Sequence, residues 1–389
     1  MTSLLSLVLP RTIIGLGSSV SVGSLAKDLG ATKVFIITDS GVVKGGLLEK
    51  IKSSLEGTGF KIGIFDGCKP NAPSNTIHEC SEKVRDGNYD MLVGVGGGSV
   101  MDTTKAVSIV VATGKKIQDF IGGDKGVKKV LPKILIPTTA GTGSEWTIVA
   151  IITDENDGKK KPVGRAPYVR ADAVIVDPEL TLGLPQRGTA ETGIDALSHA
   201  IEAYVSCKST GIICDMFAET AIRLVSENLR LAYAKGSKNI EARNRMSIAA
   251  TLAAGALQAS HAGLAHCMDG LIVERAHISH GEALGILLPH VMEFNRVAAP
   301  EKFAKIAELM GEKIDNLSVM EASRKSVDAM AGLCKDVGIA QRLRDVGISE
   351  GDLPKIADDF EVLWTALANE INPRDVKRDD VERILRAAL

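Results

Sequence analysis

The sequence predicts an α/β domain followed by an all-helical one, and three observations carry that reading. Short β-branched runs alternate with helical periodicity up to about residue 180. Glycine- and hydroxyl-rich segments follow two of those runs directly. Beyond Pro185 the pattern changes to alanine-rich helical periodicity with few strand signals. A chain of 389 residues is long for one hydrophobic core and comfortable for two. The prolines and glycine of DPELTLGLPQ place the boundary near 180–185, giving domains 1–183 and 184–389.

Lys33–Asp39 (KVFIITD) reads as a buried strand, because β-branched side chains suit a pleated, covered surface. Gly41 to Gly59 carries leucines and isoleucine at helical spacing. Phe60–Phe65 is a strand, Ser74–Arg85 a helix, and Tyr89–Val95 a strand ending in Gly96-Gly97-Gly98-Ser99. Residues 100–112 read as a helix and Lys133–Ile136 as a strand. Trp146–Ile152 and Ala173–Val176 are further short strands around the charged loop DENDGKKK. This alternation implies a parallel sheet covered on both faces. Residues 189–205, 210–234 and 239–260 are helices of the second half.

Hydrophobic residues make up 45% and charged residues 24%, which excludes a disordered chain. A formal net charge of -2 gives no whole-chain attraction to nucleic acid or anionic lipid. The six cysteines have no short paired spacing and fit a reducing compartment, most of them as small buried thiols. The start, MTSLLSLVLPRTIIG, lacks a basic lead and a clean cleavage site. No apolar stretch is long enough to span a bilayer. The expectation is a cytoplasmic protein without a membrane or nucleic-acid partner.

Val93–Asp102 (VGVGGGSVMD) runs from a strand through three glycines and a serine into a helix. Glycines let backbone amides approach phosphate, and the helix N-terminus adds partial positive charge. The pattern is neither a G-x-G-x-x-G fingerprint nor a Walker loop. A tight structural turn, with Ser99 as a helix cap, is the alternative. PTTAGTGSE (137–145) is a second such segment, and two of them after parallel strands favour a nucleotide crevice at the strands' carboxyl ends. Asp39, ending the first strand, can accept from a ribose and repel a 2′-phosphate, favouring NAD over NADP. It can equally cap the turn at Ser40-Gly41.

Asp195 and His199, in DALSHAIEAY, are four apart and share one helix face. A carboxylate with an imidazole makes half of a four-coordinate divalent-metal site, although most such pairs are surface or packing residues. Five of the seven histidines fall between 261 and 290: His261, His266, His277, His280 and His290. Spacing alone does not choose among them.

VGVGGGSVMDTTKA, IPTTAGTGSE, VDPELTLGLP, TAETGIDALSHAIEAYVS and HGEALGILLPHVMEFN occur in that order. On these motifs the chain resembles the iron-dependent (group III) alcohol dehydrogenase family over nearly its whole length. The resemblance implies a dehydroquinate-synthase-like fold: an N-terminal nucleotide-binding α/β domain, an all-helical metal-binding domain and an active site in the cleft between them. It places metal ligands on Asp195, His199, His266 and His280, with His277 close by. Cofactor positions fall on Asp39, Gly97, Gly98, Ser99, Asp102, Thr138, Thr139, Thr142, Thr147 and Lys160, some of which could be structural. The implied cofactors are NAD(H) and Fe2+, with Zn2+ as the alternative. A homodimer or higher homo-oligomer is the family expectation.

One position departs from the family. Many members carry a histidine four residues after the third ligand, and here that residue is Gly270. The change touches the proton route and the pocket, where Asp269 or His277 could substitute. Trp146 stands where smaller β-branched residues are common, and either narrows the cleft or enters the core. Cys267, beside a ligand, is read as packing.

The implied reaction is hydride transfer between NAD(H) and a short-chain alcohol/aldehyde pair, with a small, polar or anionic aldehyde expected. The alternative is a glycerol or diol dehydrogenase, or another superfamily member with a specialised substrate, including a cyclase that uses NAD transiently. A non-catalytic scaffold is disfavoured because four ionisable metal ligands are costly to hold together without a metal. Serines outside a G-x-S-x-G setting argue against a hydrolase.

Overall fold

The computed structural model describes residues 7–123, 125–164 and 166–389. Backbone contacts divide them into two compact units, one ending at Gly183 and the other beginning at Leu184.

The first unit contains β1 (Arg11–Ile14), α1 (Val22–Asp28), β2 (Lys33–Ile37), α2 (Ser40–Lys44), α3 (Glu49–Gly57), β3 (Lys61–Phe65), α4 (Ser74–Asp86), β4 (Met91–Gly96), α5 (Gly98–Thr113), β5 (Lys133–Pro137), β6 (Val149–Asp154), β7 (Lys159–Gly164) and β8 (Ala173–Val176). Six strands form one sheet in the order β1-β8-β5-β4-β2-β3, with every pairing parallel. Because successive side chains alternate faces, β2 supplies both cores. Val34 and Ile36 pack with Met91, Val93 and Ile134 against Leu25 of α1 and Ile51 and Leu55 of α3. Phe35, Ile37 and Leu92 pack against Ile77 and Val84 of α4 and Val107 and Val110 of α5. Strands buried on both faces are continuous hydrophobic runs, which is why they were readable.

Three details differ from the sequence reading. Arg11–Ile14, not anticipated as a strand, forms the sheet edge beside β8. Four half-exposed residues give little periodicity; a long-range partner makes the strand. The strand expected at Trp146–Ile152 begins at Val149, with Trp146 in the preceding turn. The expected loop DENDGKKK is instead the tip and return strand of the β6–β7 hairpin, which stands outside the parallel sheet. Its lysines favour solvent, and cross-strand hydrogen bonding overrides their weak strand propensity.

The second unit is helical: α6 (Gln186–Val205), α7 (Ile212–Lys235), α8 (Ile240–Gln258), α9 (Leu264–Ala276), α10 (His280–Asn295), α11 (Pro300–Leu309), α12 (Val319–Asp336), α13 (Leu353–Leu363), α14 (Thr365–Ile371) and α15 (Arg378–Ala388). Helix α6 lies at its centre, packed on α7, α8 and α10. Gly193 permits the approach of α7: a Cβ there would sit 2.3 Å from Leu229 Cδ1. No helix among the described residues is long and apolar enough to cross a membrane.

Candidate metal centre and nucleotide crevice

In the helical unit four predicted side chains converge. Asp195 and His199 lie one turn apart on α6, and both are buried. His266 comes from the first turn of α9, and His280 is the first residue of α10, where Ser279 Oγ accepts from Glu282 N. The Nε2 atoms of His199, His266 and His280 lie 3.5, 3.7 and 3.4 Å from the same oxygen, Asp195 Oδ1. The His199 and His266 rings stack at 4.6 Å, and His280 meets His266 edge-on at 5.2 Å.

Two further acids reach the outer nitrogens. Glu202 accepts from His266 Nδ1, and Asp269 accepts from His280 Nδ1. Glu202 was missed from the sequence, yet a signal was present: Asp195, His199 and Glu202 follow the i, i+4, i+7 face of one helix.

The electrostatics are those of a cation site. Burial drives His199 down to about 4, against the pull of Asp195. Burial also opposes charge on His266, but Glu202 and Asp195 outweigh it and hold that ring at about 9. At His280 burial is likewise outweighed, by Asp269 and Asp195, and the ring stands at about 10. Burial pushes Asp195 up, whereas the surrounding histidines bring it well below the usual carboxylate range.

Asp195 Oδ1, His266 Nε2 and His199 Nδ1 are buried without a hydrogen-bond partner. Each orphaned buried atom costs about 1–3 kcal/mol. Ligand atoms of Asp195, His199 and His266 all lie within 4.8 Å of one another, and His280 Nε2 joins them on Asp195. One carboxylate oxygen and three imidazole nitrogens suit a divalent ion of the Fe2+ or Zn2+ kind. The residues present therefore fit a metal.

The remaining histidines are not among the rings that meet on Asp195 Oδ1. His277 is exposed and closes α9 in the left-handed region, at φ 53°. His290 is half-buried on α10, and His261 lies in the segment before α9. Gly270 is exposed on α9, and a Cβ there would meet nothing within 4 Å. Cys267 is buried, and burial pushes its thiol far up, as packing requires.

In the α/β unit the sheet order β5-β4-β2 brings three loops side by side at the strands' carboxyl ends. Asp39 follows β2, Gly97–Ser99 follow β4, and Thr138–Thr142 follow β5. The chain reverses direction across the sheet between β2 and β4, the place where parallel sheets open a crevice for nucleotides. The glycine and threonine loops touch: a Cβ on Gly98 would lie 2.8 Å from Thr142 Cγ2, and one on Gly97 would lie 3.3 Å from Thr139 Cγ2. A side chain at either position would crowd these threonines, and glycine leaves the backbone amides at the start of α5 uncovered. Ser99 Oγ accepts from Asn71 N at 3.0 Å, and Asp39 Oδ1 accepts from Gly41 N and Val42 N at 2.8 and 3.0 Å.

Asp102 and Thr147 sit deeper. Lys105, fully buried, donates to Ser144 Oγ, Thr147 Oγ1 and Val149 O at 2.7, 3.0 and 2.8 Å. Asp102 accepts from Ser144 Oγ at 2.6 Å and from Ile151 N at 3.0 Å. These bonds brace the two loops from below. Lys160 is exposed on β7, where Lys161 rather than Lys160 pairs with Asp154 and Asp157. Trp146 is buried and donates from Nε1 to Thr12 Oγ1 at 2.9 Å, so it belongs to the core.

Family models cover most of the chain. Residues 10–178 match that of the iron-containing alcohol dehydrogenases, and residues 189–389 match the C-terminal model of the Fe-containing alcohol dehydrogenase family. The chain is 37% identical over 381 residues to the NAD-dependent methanol dehydrogenase of Bacillus methanolicus, covering 98% of each. It is 37% identical over 369 residues to the 1,3-propanediol dehydrogenase of Citrobacter freundii, covering 94% of each. A solved 1,3-propanediol oxidoreductase superposes with a TM-score of 0.95 at 35% identity, over 100% of both chains.

Proposed function

Because this chain belongs to the iron-containing alcohol dehydrogenase family, and is a metal-binding, NAD(H)-dependent oxidoreductase of small alcohols and aldehydes, we propose that its substrate pair is a short diol and the matching hydroxyaldehyde. The observation that carries the reaction class is the meeting of three imidazole nitrogens on Asp195 Oδ1. The diol is supported by likeness over the full chain to a 1,3-propanediol oxidoreductase.

Asp195, His199, His266 and His280 are the ligands in this reading, and Fe2+ is the expected ion, with Zn2+ the alternative. When bound, the metal supplies a Lewis acid for the substrate oxygen and NAD(H) supplies the hydride chemistry. The chain's own part is positional. The uncovered amides at Gly97–Ser99 and the hydroxyls of Thr138, Thr139 and Thr142 hold the dinucleotide, with Asp39 on its ribose. Asp102 and Thr147 keep those loops in place through Lys105. His277, exposed three residues before His280, exchanges protons with solvent in place of the histidine that Gly270 lacks. The same reading makes the protein cytoplasmic and a homodimer or larger assembly, for which sedimentation is the check.

The decisive experiment is a panel of initial rates of NADH oxidation with 3-hydroxypropanal, propanal and glyoxylate, using Fe2+-loaded enzyme. The hydroxyaldehyde is expected to give the highest kcat/KM, and chelation should abolish turnover while NADH still binds. Preference for glyoxylate, or no preference among the three, refutes the diol assignment.

A further inference from the structure

We propose that Asp269 is a positioning residue for the metal centre, acting through His280; the proposal rests on the ligand set given above. An imidazole presents a lone pair at Nε2 only when its proton sits on Nδ1, and that proton needs an acceptor. The three rings solve this differently. His199 Nδ1 is buried without a partner. His266 Nδ1 donates to Glu202, and His280 Nδ1 donates to Asp269.

The two acids are not equivalent. Glu202 also accepts from Gly263 N and Ala265 N, at 2.9 and 2.6 Å, so holding the start of α9 would by itself account for it. Asp269 is buried, and among the described residues its side chain pairs with His280. A buried carboxylate with one partner is expensive unless that partnership serves something.

His280 is also the ring that most needs holding. Its side chain is 35% exposed, against 8% for His199 and 11% for His266. It begins α10, whereas Asp195 and His199 share α6. The outer torsion of histidine is broad and roughly two-fold, so a loosely packed ring can turn a carbon inward. Asp269 fixes both the tautomer and the ring face. It also brings a third buried carboxylate, after Asp195 and Glu202, to the surroundings of a dication.

The test uses full-length protein and Co2+ alone. Affinity is read by competition with a chromophoric chelator, and coordination by the visible Co2+ spectrum. Asp269→Ala is expected to weaken Co2+ binding by about 10–100-fold and to alter the spectrum. Asp269→Asn, which keeps a neutral acceptor, should lose less. The far-UV circular dichroism spectrum should stay as in wild type, showing that the variants are folded. Asp269→Ala combined with His280→Ala should bind Co2+ no more weakly than His280→Ala alone. Wild-type affinity and spectrum in Asp269→Ala overturns the proposal, and so does an additive loss in the double variant. If His280→Ala alone keeps wild-type affinity, the ligand set itself fails, an outcome distinct from the other two.

Discussion

Asp39 shows how one side chain can carry two readings at once. Its Oδ1 caps α2 through Gly41 N and Val42 N, the bland role that its sequence context allowed. Its place after β2, beside the glycine loop of β4, also sets it where an adenine ribose is expected. Substitution separates the roles, because asparagine caps a helix about as well as aspartate but carries no charge. Asp39→Asn should keep the thermal stability of wild type and raise the NADPH-to-NADH ratio of kcat/KM about tenfold. Asp39→Ala should give the same change in preference and lose about 1 kcal/mol of stability besides. Steady-state kinetics with both cofactors and thermal unfolding check the two effects. At this scale helical spacing paired Asp195 with His199, and the family resemblance, not spacing, picked His266 and His280 out of five histidines. The sequence reading missed Glu202 and the partnership of Asp269 with His280, because an outer nitrogen's acceptor depends on which helices meet.

The start of α10 is the element on which the metal centre depends most. Gly281 follows His280 immediately, and a Cβ there would lie 2.1 Å from the backbone oxygen of Glu191 on α6. A backbone atom inside a helix cannot swing aside as a side-chain end can. Gly281→Ala must therefore push α10 away from α6, and His280 moves away from Asp195 with it. Overpacking of this kind costs about 1–3 kcal/mol. The expected result is a folded protein, by far-UV circular dichroism, that retains much less metal after dialysis, by elemental analysis. Wild-type metal content would show that α10 absorbs the strain elsewhere. The strands show the limits of reading elements from sequence. Those of the sheet interior, β2, β4, β5 and β8, were legible because burial on both faces makes them continuous apolar runs. The edge strand β1 and the lysine-bearing β7 were not, because each exists through its partner rather than its own pattern.

Across the whole molecule, charge buried in the α/β unit makes stability depend on pH. Lys133 opens β5 fully buried, with Nζ donating to Tyr168 O at 3.1 Å. Burial lowers it from 10.5 to about 8, against the pull of Asp172. Between those values the folded chain binds fewer protons at this site than the unfolded one. Stability from Lys133 therefore rises with pH from about 8 to 10.5, and below 8 its penalty is fully present, about 3 kcal/mol. Lys133→Met should flatten that part of the pH dependence, measured as the difference in denaturant midpoint from wild type between pH 7 and 10. An unchanged slope would mean that the amine stays charged in the fold. The sequence by itself determined the class of each half, the two loops at the strand ends and the residue types of the metal centre, because periodicity and helical spacing are local. Tertiary structure decided the rest: that α6, α9 and α10 aim three rings at one oxygen, that Asp102 and Thr147 brace loops through Lys105, and that Trp146 enters the core. Those outcomes depend on which surfaces pack together, and packing couples residues too far apart in the chain for any local pattern to connect.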